Sequence, residues 1–467
     1  MHVQIGNSLF GIEPHHFLKI CHRLLHCRGG DKGQARLRRA AAVPTPARMK
    51  TALLLAATLA AIAVPASAQQ IDPTVRARID RILKATPLID GHNDLPGQLS
   101  DYYKSSVEGL ASGTDQRPTP LMTDMARLHQ GDVGAQFWSV FIDADIHGDE
   151  AIRDTIQQID VVKRMVKAYP GDLALAGTAD DIVRIHKTGR VASLIGIEGG
   201  HQIGGSMPAL RQFYDLGARY MTLAHFKNNE LADSANDDPK YHGLNAFGEA
   251  VVHEMNRIGM LVDLSHVSAD TMRDAIKISR APVIFSHSGA FAIDHHPRNV
   301  PDDVLRLLPA NGGVVMANFY AGYVSDEFQA WNVAKSTEEE RLKLAMLGQP
   351  KERDDALKAW VQAHPAPVVT IGQLADHVDH IAQVAGFDHV GIGGDLDGIP
   401  YDEAPAGMNS VSGYPLLFAE LIRRGWSDAN LAKLAGGNVL RAMRQAEAVA
   451  ASMKDEPPSM ATLEPAK

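Results

Sequence analysis

Between residues 71 and 450, eight short apolar runs alternate with helical patterns, and no Pro- or Gly-rich linker divides them. The runs are PLID (87–90), AQFWSVFI (135–142), ASLIGIE (192–198), RYMTLAH (219–225), MLVDLSH (260–266), PVIFSH (282–287), GVVMANF (313–319) and HVGIGGD (389–395). They are near-continuously hydrophobic, as strands covered on both faces are. Helical periodicity marks 244–258, 268–279, 300–310 and 427–446. The first stops at Gly259 and the second starts at Ser268, a good N-cap. Eight β-then-α units predict an α/β fold of the TIM (β/α)8 barrel type, which spans from about 200 to over 400 residues. A doubly wound open sheet is the alternative, but no G-x-G-x-x-G follows a strand here. The charged stretch 324–369 separates the seventh and eighth strands and reads as a solvated helical insertion rather than a functional lid.

A barrel of this kind gathers its reactive residues at the C-terminal ends of the strands. Those ends carry His92 and Asp94, Glu198, His225, His266, His287 and Asp395. Strand side chains alternate with period two, so His92 and Asp94 can face one ion together. His, Asp and Glu donors suit zinc. The number of donors suggests two ions: His92 and Asp94 on one arm, His266 and His287 on the other, and Glu198 placed to bridge them. Two ions about 3.5–4 Å apart could share a hydroxide. The fourth run ends in His225, not Lys, which favours Glu198 over a lysine carbamate as the bridge. Asp397 is an alternative to Asp395 but lies farther from its strand end. His377 and His380 have helical ligand spacing, and His295 and His296 sit before Pro297 in a loop; none is at a strand end, so none is read as a ligand.

The donors must be nitrogen and oxygen because of where the cysteines fall. Both, Cys21 and Cys27, precede residue 49. Residues 49–68 have a charged start (Lys50), an apolar run and the small-x-small site Ala66-Ser67-Ala68, the pattern of a secretory signal peptide. Its apolar run is shorter than the roughly 20 residues a membrane span needs. Residues 1–48 read as a spurious or unstructured extension, 69–452 as the barrel domain and 453–467 as a disordered tail. The mature protein should therefore be exported to the periplasm or medium, without disulfides or a lipid anchor. Residues 1–68 contain 9 of the 46 Lys and Arg and 2 of the 55 Asp and Glu. Their removal leaves a net charge near −16, which argues against a nucleic-acid partner.

Longer motifs carry a family resemblance. LIDGHNDLP (88–96), IGIEGGH (195–201), MTLAHFKNN (221–229), FGEAVVHEMNRIGMLVDLSHVS (247–268), APVIFSHS (281–288), HPRNVPDDVLRLL (296–308), GGVVMANFY (312–320) and HVGIGGDLDG (389–398) resemble the membrane (renal) dipeptidases, from about residue 85 to 448. The resemblance implies a zinc-dependent dipeptidase with two Zn2+ per subunit, able to cleave dipeptides with an L- or D-residue at the C-terminal position. It implies His92 and Asp94 on one zinc, His266 and His287 on the other, and Glu198 bridging. It also implies that His225 polarises the scissile carbonyl and that Arg298 and Tyr323 hold the substrate carboxylate; Asp395, at the eighth strand end, is read as the group that takes the water's proton to the leaving amine. A homodimer is a further family expectation. Phe226-Lys227-Asn228-Asn229-Glu230 departs from the family's usual loop at the site, which leaves the preferred dipeptide open. The rival functions are cleavage of N-acyl amino acids or lactones on the same scaffold, and a non-catalytic binding protein. A cationic carboxylate anchor speaks against neutral lactones, and an intact set of donors against the binding protein.

Overall fold

The computed structural model describes residues 71–463. The expectations for residues 1–48 and 49–68, with Cys21 and Cys27, and for residues 464–467, fall outside that range. Nine strands are described: β1 (Leu88–Asn93), β2 (Val133–Phe141), β3 (Leu173–Leu175), β4 (Val191–Glu198), β5 (Ala218–Thr222), β6 (Leu261–Asp263), β7 (Ile284–Phe285), β8 (Val314–Ala317) and β9 (Val390–Ile392). Every pairing is parallel. The order runs β2-β1-β9-β8-β7-β6-β5-β4, and β4 pairs back onto β2. That ring is the expected closed eight-strand (β/α)8 barrel.

The ninth strand, β3, was not expected. It pairs with Val191–Ser193 of β4, below the level where β5 joins at Ile195, so it extends one edge of β4 without entering the ring. Three residues carry too little periodicity to be seen in sequence.

Alternate strand residues divide between two buried clusters, as a period of two requires. Ile89, Phe137, Leu194, Tyr220, Ile284 and Met316 fall in one. Their neighbours Leu88, Trp138, Ile195, Met221, Phe285 and Val315 fall in the other, with helix residues such as Val251, Met255 and Met272. The first set fills the barrel and the second meets the helices. Tyr220 fits inside only because β4 has Gly196 opposite. A Cβ there would lie 2.0 Å from the tyrosine ring.

Helix boundaries follow their caps. Ala246–Ile258 ends at Gly259, which takes φ 85°. Ala269–Ile278 starts at Ser268, whose side chain accepts from the Thr271 N–H. The pattern at 300–310 breaks into two short turns, Asp302–Leu305 and Leu308–Asn311. The insertion is a pair of helices, Asp326–Ala345 and Pro350–Ala363; the first buries only Phe328 and Leu342, the second nothing. The start of the tail departs from expectation. Met453 is fully buried, Glu456 pairs with Arg280 at 2.7 Å, and the Ser459 N–H donates to Glu254 at 3.1 Å. Composition alone suggested disorder; specific charge and backbone partners hold residues 453–463 against the barrel's outer helices.

Candidate metal centre and substrate site

The mouth of the barrel is built where the strand ladder gives way to side-chain acceptors. Past β7, the Ser286 N–H donates to Asp263 (2.8 Å) and the His287 N–H to Ser265 (3.0 Å). Past β9, the Gly394 N–H donates to Asp90 at 2.7 Å. β5, β6, β7 and β9 therefore stop short of the ends of their apolar runs, and His225, His266, His287 and Asp395 lie two or three residues beyond the last paired residue. His266 (φ 67°) and Asp395 (φ 57°) occupy the left-handed region, uncommon outside glycine though His and Asp enter it more readily than most, and this turns them into the mouth.

Glu198, the last residue of β4, is at the centre and buried. Its Oε2 lies 3.3 Å from His92 Nε2 and accepts from Ser139 Oγ at 3.1 Å. Its Oε1 faces the other way, 2.9 Å from His266 Nε2 and 3.4 Å from the Nε2 atoms of both His287 and His225. His92 Nε2 is also 3.2 Å from Asp94 Oδ2. Asn93, not Asp94, accepts the Leu95 N–H at the start of the next helix, so the Asp94 carboxylate is left for the site. Asp395 completes a group with His92 and Asp94 and accepts from Asn318 Nδ2 at 3.0 Å. Gly398 permits this crowding: a Cβ there would lie 2.2 Å from Asp94 Oδ2 and 2.7 Å from Asp395 Oδ1.

These donors fit a metal. His92 Nε2 is buried without a hydrogen bond. The Nε2 atoms of His266 and His287 are 2.9 Å apart and both aim at Glu198. Burial holds both imidazoles well below the usual histidine range, joined for His266 by the Arg298 guanidinium and for His287 by His92 and then Arg298. Burial opposes ionisation of Glu198, but His92 and His225 outweigh it and hold its carboxyl below the usual range. Burial, reinforced by the nearby Asp94 and Glu198 carboxylates, pushes Asp395 up to about 8. A buried cluster of nitrogen and oxygen lone pairs turned on one centre is stabilised by cations.

Arg298 is fully buried beside the cluster, donating to the His287 carbonyl (3.1 Å) and Ser288 Oγ (3.0 Å). Its guanidinium stands 5.3 Å from the centre of the Tyr323 ring. His225 packs between Phe141 and Phe226, at ring-centre distances of 4.5 and 4.2 Å. All nine residues singled out in the sequence thus lie at or beside this mouth. The other candidates have structural partners. Asp397 accepts the Met122 N–H at 2.7 Å, bracing a neighbouring loop. His377 accepts from the Ala290 N–H, and His380 and His295 pair with Asp302 and Asp326.

Several contributors went unread in the sequence or, like His296, were read there only as non-ligands. His296 is buried, accepts the Arg298 N–H at 3.1 Å and packs on Tyr323. Tyr220 reaches His92 Nδ1 at 2.8 Å, and Ser286 reaches His287 Nδ1 at 2.8 Å. The available signal was a polar residue inside an apolar run, such as Asp263 in MLVDLSH.

A closed parallel barrel whose C-terminal mouth holds a buried His, Asp and Glu cluster defines the class of metal-dependent (β/α)8 enzymes. Within it, the model of the membrane dipeptidases, peptidase family M19, matches residues 76–457, and the chain belongs to that family. It is 40% identical over 387 residues to Dipeptidase verJ of Clonostachys rogersoniana, covering 80% of this chain and 88% of that protein. Among solved structures, the probable dipeptidase PvdM of Pseudomonas aeruginosa has the same fold, with a TM-score of 0.67, 22% identity, and coverage of 80% of this chain and 99% of that one. A Rhodobacter sphaeroides metallopeptidase, liganded with a phosphinate mimic of L-Ala-D-Ala, gives 0.63 and 21%, covering 77% and 99%. The protein is a metallo-dipeptidase.

Proposed function

We propose that the protein is a two-zinc dipeptidase acting on L-L and L-D dipeptides with a free C-terminal carboxylate, exported through the leader at 49–68. The observation that carries the two-ion reading is the attitude of Glu198, whose two oxygens face opposite halves of the cluster. His92 and Asp94 would hold one ion, His266 and His287 the other, and Glu198 both. Bound there, the ions supply Lewis-acid polarisation and water with a pKa lowered toward neutrality.

The chain's own groups do the rest. Arg298 and Tyr323 receive the terminal carboxylate, a charge-assisted pairing that fixes the distance from that carboxylate to the scissile bond. Because Arg298 donates to the carbonyl of His287, itself a metal donor, the anchor adjoins the centre, and a pocket of that reach admits a dipeptide and excludes longer chains. His225, held between two phenylalanine rings, donates to the carbonyl oxygen as charge develops on it. Asp395, within reach of the same centre, takes the proton of the attacking water and delivers it to the leaving amine. The name of the Rhodobacter sphaeroides ligand supports the L-D part of this reading.

The test is a panel of L-L and L-D dipeptides, tripeptides and C-terminal amides, assayed after chelation and after zinc is restored. Zinc-dependent cleavage confined to free dipeptides is expected. Cleavage of amides at the same rate would remove the carboxylate anchor. Inert dipeptides beside rapidly cleaved N-acyl amino acids would replace the substrate class.

A further inference from the structure

His92, His266 and His287 all present Nε2 to the centre, yet their Nδ1 atoms are treated differently. That of His266 is buried with no partner. That of His92 meets Tyr220 Oη, which can pass its own proton on to the Gly91 carbonyl 3.2 Å away. That of His287 meets Ser286 Oγ at 2.8 Å, and Ser286 Oγ is 2.6 Å from Asp263 Oδ2. A neutral imidazole can offer Nε2 to a metal only while Nδ1 keeps the proton, so the group facing Nδ1 selects the tautomer.

Asp263 makes that selection for His287. Its Oδ1 accepts the N–H groups of Ser265 (3.1 Å) and Ser286 (2.8 Å). Its Oδ2 accepts the hydroxyls of Thr222 (2.5 Å) and Ser286 (2.6 Å). Four donors converge on a fully buried residue, the full acceptor capacity of a carboxylate. The single Ser286 proton is thereby committed to Asp263, leaving Ser286 Oγ able only to accept from His287 Nδ1–H. We infer that Asp263 is a positioning residue of the metal centre, acting through Ser286 to hold His287 in the tautomer that frees Nε2 for the ion. The assignment rests on the zinc reading given above.

The chain of donors makes a specific prediction. In Asp263→Asn, the two backbone N–H groups keep the amide oxygen in place, so the amide nitrogen must face Ser286 and Thr222. Ser286 then accepts from Asn and turns its own proton toward His287 Nδ1, which selects the Nε2–H form and blocks the ligand atom. Removing the hydroxyl as well, in Asp263→Asn with Ser286→Ala, takes away the wrong donor. The readout is Zn2+ affinity of the whole protein by competition with a chromophoric chelator, with thermal unfolding of the metal-free protein as the control for folding. Zinc should bind about 100-fold more weakly to Asp263→Asn, the upper end of the range for lost partners of ligating histidines, because the ligand atom is itself blocked. The double variant should recover to the level of Ser286→Ala alone, about tenfold below the unaltered protein.

A double variant as weak as Asp263→Asn, or weaker, would show that the carboxylate only supports the fold and would overturn the assignment. So would unaltered affinity in Asp263→Asn. Should Asp263→Asn not fold, Ser286→Ala decides alone: a tenfold loss supports the relay and unaltered affinity overturns it. An unaltered protein that binds no zinc overturns the metal reading itself, and is told apart because no variant is then involved.

Discussion

At the scale of single residues, the site separates groups that hold the metal from groups that handle the substrate. Asp395→Asn should keep the bound metal and lose about 10²–10⁴-fold in turnover, the usual contribution of a general acid–base group; metal analysis beside kcat checks both halves. Arg298→Met should raise KM for free dipeptides about 10–100-fold, from the 1.5–3 kcal/mol of a hydrogen bond to a charged group. Cleavage of blocked C-termini should change little. The sequence made the metal donors legible because barrel topology forces strand ends together. It set His296 aside as a loop residue and left Tyr220, Ser286 and Asp263 unread, because the roles of these three depend on which ring nitrogen is faced, directly or through a neighbour, and no periodicity encodes that. Arg298 and Tyr323 were reached through the family resemblance alone: Arg298 lies in a loop and Tyr323 in the single helical turn Ala321–Val324, both too short of periodic pattern to carry information about direction.

At the scale of elements, strand identity was written plainly and strand length was not. Each apolar run overlaps its strand, but β1, β2, β4 and β5 extend past one end of theirs, and β6, β7 and β9 pair over only three, two and three residues. Asp263, Ser265 and Asp90 replace ladder partners at the mouth, so the apolar pattern continues where strand pairing has stopped. Helix ends were clearer where a cap was present. Ser268→Ala removes the acceptor for the Thr271 N–H and should cost about 1 kcal/mol in denaturant unfolding. A loss below a few tenths would mean that another group caps the helix. The insertion was readable as helical and solvated from its charge. Its contact with the site's surroundings was not: Asn332 Nδ2 donates to Tyr320 Oη at 2.7 Å, and Tyr320 packs edge-on against Tyr323 at 4.7 Å.

At the scale of the whole molecule, the protein should respond to pH and to metal. Asp294 is a buried carboxyl in the segment carrying Arg298, raised to about 7 by burial and by neighbouring Asp326. Its folded pKa exceeds the unfolded value, so the folded state binds the extra proton, and this group's contribution to stability is lost as pH rises from about 4 toward 7. The slope is at most about 1.4 kcal/mol per pH unit. Asp294→Asn retains an acceptor for the His296 N–H and the Asn299 side chain, so its stability relative to the unaltered protein should climb across that window. A constant difference from pH 4 to 8 would contradict this. Among the described residues, no helix is long and apolar enough to cross a membrane. The most direct test of the central claim is a zinc titration of the metal-free protein with dipeptide hydrolysis as the readout. Activity should be absent without metal and reach its plateau at two equivalents per chain. A plateau at one equivalent would contradict the two-ion centre around Glu198, and hydrolysis that survives complete metal removal would contradict the metal centre altogether.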